Sequence, residues 1–147
     1  MRTIQREIVG AFIFSSDDKV LLGHSGVFEG DWCVPGGGMD EGESKRTALN
    51  REILEEVGLD ISAIDADSIE GKNGGVSEKT LRDTKERVIV EMNFYDYVVR
   101  IPESASEISL KMEDDFTGAR WFSRKELNQL EIAPGTKLRL DQLGYLA

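Results

Sequence analysis

Cysteine, histidine and proline are scarce in this chain, with one, one and three copies in 147 residues. A lone cysteine, Cys33, forbids an intrachain disulfide and any zinc site built from several thiolates. It reads as a small apolar residue of the Trp32-Cys33-Val34 segment rather than as a reactive thiol. A lone histidine, His24, rules out a histidine metal cluster and a full nucleophilic triad. Cations are outnumbered, 18 Lys and Arg against 28 Asp and Glu, so the formal charge is −10. That field repels nucleic acid and polyphosphate alike. A nucleic-acid partner is therefore not expected, and a phosphate substrate would need cations to bring it in. Apolar runs fall well short of the roughly 20 residues that cross a membrane. Glu7 stands where a signal peptide would begin its apolar core, so a soluble, cytoplasmic chain without a membrane partner is expected.

What the chain does have is apolar sequence for one ordinary core, 39% by composition, and a length that suits a single domain over residues 1–147. Ile8 to Phe14 and Lys19 to Leu22 read as two strands of a hairpin, joined by the polar turn Ser15-Ser16-Asp17-Asp18. Residues 23 to 31 carry three glycines and read as a surface loop before a short strand at Trp32 to Val34. Pro35-Gly36-Gly37-Gly38 then stops that strand. From Ser44 to Val57 no Gly or Pro interrupts a run of helix formers, and Gly58 stands where a C′ glycine ends a helix. Leu49, Ile53 and Val57, at i, i+4 and i+8, form its apolar stripe.

Residues 71 to 86, polar and glycine-bearing, read as a long loop. Arg87 to Arg100 alternates as a long strand, with Val88, Val90, Met92 and Phe94 on one face and Ile89, Glu91, Asn93 and Tyr95 on the other. A short strand at Ala119 to Phe122, a capping box at Ser123 to Glu126 opening a short helix, and a last helix from Pro134 to before Gly144 complete the pattern. Strands, one central helix, more strands and terminal helices make an α+β or α/β/α layered domain, with a mixed sheet flanking the central helix.

On the central helix Glu52, Glu55 and Glu56 fall at i, i+3 and i+4, on one arc of the surface. Like charges at that spacing repel by a few tenths of a kcal/mol per pair, and a divalent cation would neutralise them. Hard oxygen ligands suit Mg²⁺ or Mn²⁺. A solvated acidic face is the plain alternative.

The surrounding frame decides between them. Gly37, Glu43, Arg51, Glu52, Ile53, Glu55, Glu56, Gly58 and Leu59 stand as G-x5-E-x7-R-E-U-x-E-E-x-G-U, with U a bulky aliphatic residue. Chance would align nine such positions with a probability on the order of 10⁻⁹ at a given start. The segment resembles the Nudix box at every defining position. Trp32 to Gly37, Ala119 to Ser123 and Ala133 to Thr136 are similar to further parts of that family.

The resemblance implies an α/β/α sandwich with a mixed central sheet and the box as loop-helix-loop. It implies metal ligation by Glu52, Glu55 and Glu56 and by the Gly36 carbonyl, with Glu52 also orienting or deprotonating the attacking water. Arg51 would hold Glu52, and Glu43 would brace the loop and the outer metal sphere. Family members often recruit a carboxylate from outside the box; Asp115, six residues before Trp121, is the leading candidate and Glu91 the next. His24, Phe28, Trp32, Glu91 and Tyr95 are candidate substrate contacts.

The activity implied is metal-dependent hydrolysis of the phosphoanhydride of a nucleoside diphosphate linked to another group. Free (d)NTPs are slightly favoured as substrates; NDP-sugars or ADP-ribose stay open, as does a non-catalytic nucleotide sensor. The partner is a small nucleotide, with the chain as monomer or homodimer.

Overall fold

The computed structural model describes residues 1–25, 31–111 and 116–147. Its centre is a 13-residue parallel ladder between β1 (Arg2–Phe14) and β7 (Arg87–Arg100), running from Arg2 opposite Val88 to Phe14 opposite Arg100. The chain leaves β1 through a tight turn, and Phe14 pairs antiparallel with Val20 of β2 (Val20–Ser25). β2 then pairs with β8 (Phe116–Phe122) and, at its end, with β3 (Trp32–Cys33). β4 (Gly36–Gly38) returns to β1, while β5 (Ala66–Ser68) and β6 (Gly74–Thr80) share the far edge of β7.

Period-two alternation along β1 and β7 sends their apolar side chains to opposite faces. Val9, Ala11, Ile13 and Val99 meet Leu49, Ile53 and Val57 of α1 (Lys45–Val57) on one face. Phe12, Phe14 and Val98 meet Leu127 of α2 (Arg124–Leu127) and Leu140 of α3 (Pro134–Gln142) on the other. The result is an α/β/α sandwich with a mixed sheet. Among the described residues no helix is long and apolar enough to cross a membrane.

α1 has the ends its sequence predicts. The Ser44 side chain accepts from the Thr47 N–H, and Gly58 closes the helix at φ 75°, a left-handed conformation that a Cβ disfavours. Four expectations change. β2 runs through Gly23 and His24 instead of giving way to a loop: a Cβ on Gly23 would stand 2.6 Å from the Phe116 ring, so this glycine serves packing rather than turning. Gly36, Gly37 and Gly38 form a strand and not merely a stop. Residues 74–80, expected in a loop, are β6; all but Ser77 are exposed, so no hydrophobic alternation marks them. β1 and β8 also begin earlier than expected, at Arg2 and Phe116, the first through a largely exposed half that owes its place to the β7 ladder.

One buried ion pair fastens α3 to the sheet. Arg139, 1% exposed, gives its Nε–H to Asp96 Oδ2 at 2.9 Å and its other donors to the Glu70 and Gly71 carbonyls and to Gln142. Burying such a charge is tolerated only when it is paired and hydrogen-bonded, and Arg139 makes four such bonds. Arg139→Ala strands the Asp96 carboxylate and is expected to cost about 3–5 kcal/mol. Arg2→Ala, which removes an exposed ion pair with Glu86, should cost less than about 1 kcal/mol. Urea unfolding of both variants checks the contrast, and equal losses would refute it.

Candidate active site

The acidic helix face is organised by one guanidinium. Arg51 grips Glu43 with two parallel bonds, Nε to Oε2 and Nη2 to Oε1, both 2.8 Å. It also donates to Glu52 Oε1 at 2.9 Å, to Glu55 Oε2 at 3.3 Å and to the Gly38 carbonyl at 3.1 Å. Glu43 in turn accepts the Asp40 N–H at 2.8 Å, which ties the loop ahead of α1 to the helix. The hydrogen bonds from Arg51 and from that backbone amide hold the Glu43 carboxyl down at about 2, and the same pairing raises the Arg51 pKa. Charge-assisted, bidentate bonds of this kind fix geometry as well as energy.

Glu52 and Glu56 are seated against β4 in two ways. In the β1–β4 ladder Ala11 N–H bonds the Pro35 carbonyl and Met39 N–H bonds the Glu7 carbonyl. Antiparallel strands face each other at alternate residues, so the polar groups of Gly36 and Gly38 turn outward. The Gly36 N–H meets Glu56 Oε1 at 2.6 Å, and the Gly36 carbonyl lies on the same outward edge. Gly37 points the other way, over Glu52, and a Cβ there would run into the carboxylate. A Cβ on Gly36 would strike the Val9 carbonyl. The glycines are needed because strand, neighbour and helix approach so closely. Burial raises the Glu52 pKa, against the opposing pull of Arg51.

Among the described residues no three His, Cys, Asp or Glu side chains converge into a ready-made metal cage. Glu52 and Glu55 turn to Arg51, and Glu56 turns to Gly36. Arg51 offsets part of the like-charge repulsion on this face, at Glu52 and Glu55. The oxygen donors at hand, Glu52, the 58%-exposed Glu55, Glu56 and the Gly36 carbonyl, are those that suit a hard cation.

The remaining candidates scatter. Glu91 lies on the α1 face of β7 beside Gln5, whose Nε2 donates to it at 3.3 Å, beyond the end of β4. Tyr95, on the same face, carries Lys45 Nζ 4.0 Å above its ring, and its pKa is raised by a hydrogen bond with Glu7 and by burial. His24 and Trp32 sit together on the α3 face, ring centroids 3.9 Å apart, with Phe122 and Arg120 closing over the indole. Asp115 and Phe28 fall outside the described residues. Sequence reasoning passed over Glu7, whose Oε2 is buried without a partner; its alternation with Val9 and Ala11 was the available signal.

A carboxylate-bearing helix locked to a glycine strand by an arginine defines a class of hydrolase, and comparison with known proteins agrees. The NUDIX domain matches residues 4–143. Nucleoside triphosphatase NudI of Enterobacter sp. (strain 638) is 32% identical over 148 residues, covering 97% of this chain and 99% of that protein. The Escherichia coli dihydroneopterin triphosphate pyrophosphohydrolase superposes with a TM-score of 0.68 at 17% identity, over 92% of each chain. The NUDIX domain of Shewanella oneidensis NrtR, solved with ADP ribose, gives 0.66 at 19% identity, over 96% of this chain and 87% of that one. The chain belongs to the Nudix family, as an enzyme of the pyrophosphohydrolase class.

Gly37→Ala tests the seat of Glu52. The added methyl must push the carboxylate aside while leaving α1 helical, and a misplacement of about 1 Å is enough to cost on the order of 10²-fold in turnover. Gly75→Ala, where a Cβ meets nothing, should leave turnover unchanged. Circular dichroism and initial rates decide; a wild-type rate for Gly37→Ala would show that the seat is unimportant.

Proposed function

We propose that the chain hydrolyses nucleoside triphosphates to a nucleoside monophosphate and pyrophosphate, in the cytoplasm, using Mg²⁺ or Mn²⁺. The observation that carries the reading is the pairing of Glu52 and Glu56, one helical turn apart and both held against β4. The end-to-end likeness to a protein named as a nucleoside triphosphatase supports this substrate class over NDP-sugars.

Glu52, Glu55, Glu56 and the Gly36 carbonyl would hold the cation. When bound, it supplies positive charge to the phosphate oxygens and lowers the pKa of water. Glu52 accepts the proton of the attacking water at its carboxylate. The water oxygen bonds to phosphorus as the anhydride P–O bond breaks, and the pyrophosphate leaves with the electron pair. Arg51 keeps Glu52 in register, and Glu43 keeps Arg51.

Chelation by EDTA is expected to abolish turnover, and added Mg²⁺ or Mn²⁺ to restore it. Glu52→Gln and Glu56→Gln keep side-chain size and helix propensity, so both proteins should fold. Each should lose about 10²-fold or more in kcat, the scale on which a group stabilising transition-state charge contributes. Rates over a panel of NTPs, dNTPs, NDP-sugars and ADP-ribose rank the substrates. Full activity in chelator, or wild-type rates from both Gln variants, would overturn the mechanism; faster cleavage of an NDP-sugar would move the substrate class.

A further inference from the structure

β6 is an edge strand whose outer side is bare. It pairs with β7 from Gly74 opposite Asn93 to Thr80 opposite Arg87 without a break in register, and among the described residues no other strand meets it. The Asn73 carbonyl accepts the Phe94 N–H, and the Leu81 N–H reaches the Glu86 carbonyl. Antiparallel ladders alternate between bonded and unbonded pairs, so Gly75, Ser77 and Lys79 turn their backbone groups to β7. Gly74, Val76, Glu78 and Thr80 turn theirs outward, and all four are exposed.

Soluble proteins ordinarily blunt such an edge with a proline, a bulge, a covering segment or charge. β6 has neither proline nor bulge. Its charges stand at the far end, where Glu78 is already paired with Arg87 at 2.9 Å and Lys79 points to the opposite face of the sheet. The half from Gly74 to Ser77 carries no charge. Val76, 69% exposed, is as open to water as any large apolar side chain described. Two glycines also make this strand costly to order, and within its own chain only the β7 ladder compensates.

A second copy of the chain fits the edge in one register better than in its neighbours. A two-fold axis between antiparallel strands pairs residues that share a face, so each register is centred on one residue. Centring on Glu78 or Lys79 sets like charges opposite one another, which is destabilising. Centring on Ser77 sets Val76 against the partner's Glu78. Centring on Val76 sets the two valines together and Gly74 against the partner's Glu78, with Lys72 diagonally across from that carboxylate. The outward groups of Gly74, Val76 and Glu78 then exchange about six hydrogen bonds with the partner.

We propose that β6 is a homodimer interface, through which two copies join their sheets with Val76 on the two-fold axis. A single strand pair lies at the small end of specific interfaces, below about 1,200 Å². The dimer is therefore reversible and concentration-dependent.

Sedimentation equilibrium of the full chain, from micromolar to millimolar, should show a monomer–dimer equilibrium. Val76→Pro removes an outward N–H but no bond to β7. It should weaken dimerisation at least tenfold while leaving the circular dichroism unchanged. If that variant does not fold, Val76→Lys, which sets two cations face to face, should give the same loss. Val76→Cys should form a disulfide-linked dimer under mild oxidation, because the Cα atoms of a bonded pair stand about 5.5 Å apart, within disulfide reach. Lys79→Cys, roughly 20 Å from its copy in this register, should not, and the native Cys33 is buried. A monomer throughout the concentration range, a dimer that withstands the Val76 substitutions, or equal cross-linking at the two cysteine positions would overturn the assignment.

Discussion

The Arg51 guanidinium is the point at which loop, helix and strand are held together. With Glu43 it closes the turn before α1, with Glu52 and Glu55 it balances the helix face, and with the Gly38 carbonyl it draws α1 onto β4. No lysine can reproduce this, because a point charge lacks the planar fork that engages a carboxylate twice while reaching three other acceptors. The site depends on glycine for a complementary reason. Arg51 pulls the helix in, and Gly36 and Gly37 remove the side chains that would keep it out.

How far this could be read from the sequence depends on the range of the interaction. α1 was legible because its signals are local: Ser44 ahead of it, Gly58 after it, and Leu49, Ile53 and Val57 at helical spacing. The central strand β7 was legible from its alternation. β6 was not, since a strand exposed on both faces has no pattern to show, and its only cause is the ladder with β7. The triple glycine reads as a turn in one dimension; that it forms a strand follows from the carbonyl of Val9 and the carboxylate of Glu52, which are close only in three.

The same division runs through the site. Glu43, Arg51, Glu52, Glu55 and Glu56 lie within 14 consecutive positions, and their juxtaposition follows from one turn and one helix. Asp96, Asn73 and Arg139 come from β7, the segment before β6, and α3. They are joined by a buried ion pair between residues 43 apart in the chain, and nothing in the local sequence of any of them marks it. Glu91 and Tyr95 were reasonable candidates by alternation. They lie on the α1 face, Glu91 past the end of β4 and Tyr95 under Lys45.

The acidity of the chain then becomes a constraint that the architecture answers in two places. With a formal charge of −10, the protein gains nothing from bulk electrostatics when it meets a polyphosphate. Locally, Arg51 already offsets the carboxylates nearest β4. A cation that takes Glu52 and Glu55 from Arg51 does not leave that guanidinium unpaired, because Glu43 retains it through two bonds. At the other end of the Gly36–Gly10–Asp96 row, Arg139 offsets the buried Asp96 carboxylate in the same way. Each end of the row therefore holds carboxylate oxygen that an arginine keeps in place, and the bare glycine backbone between them sets the distance.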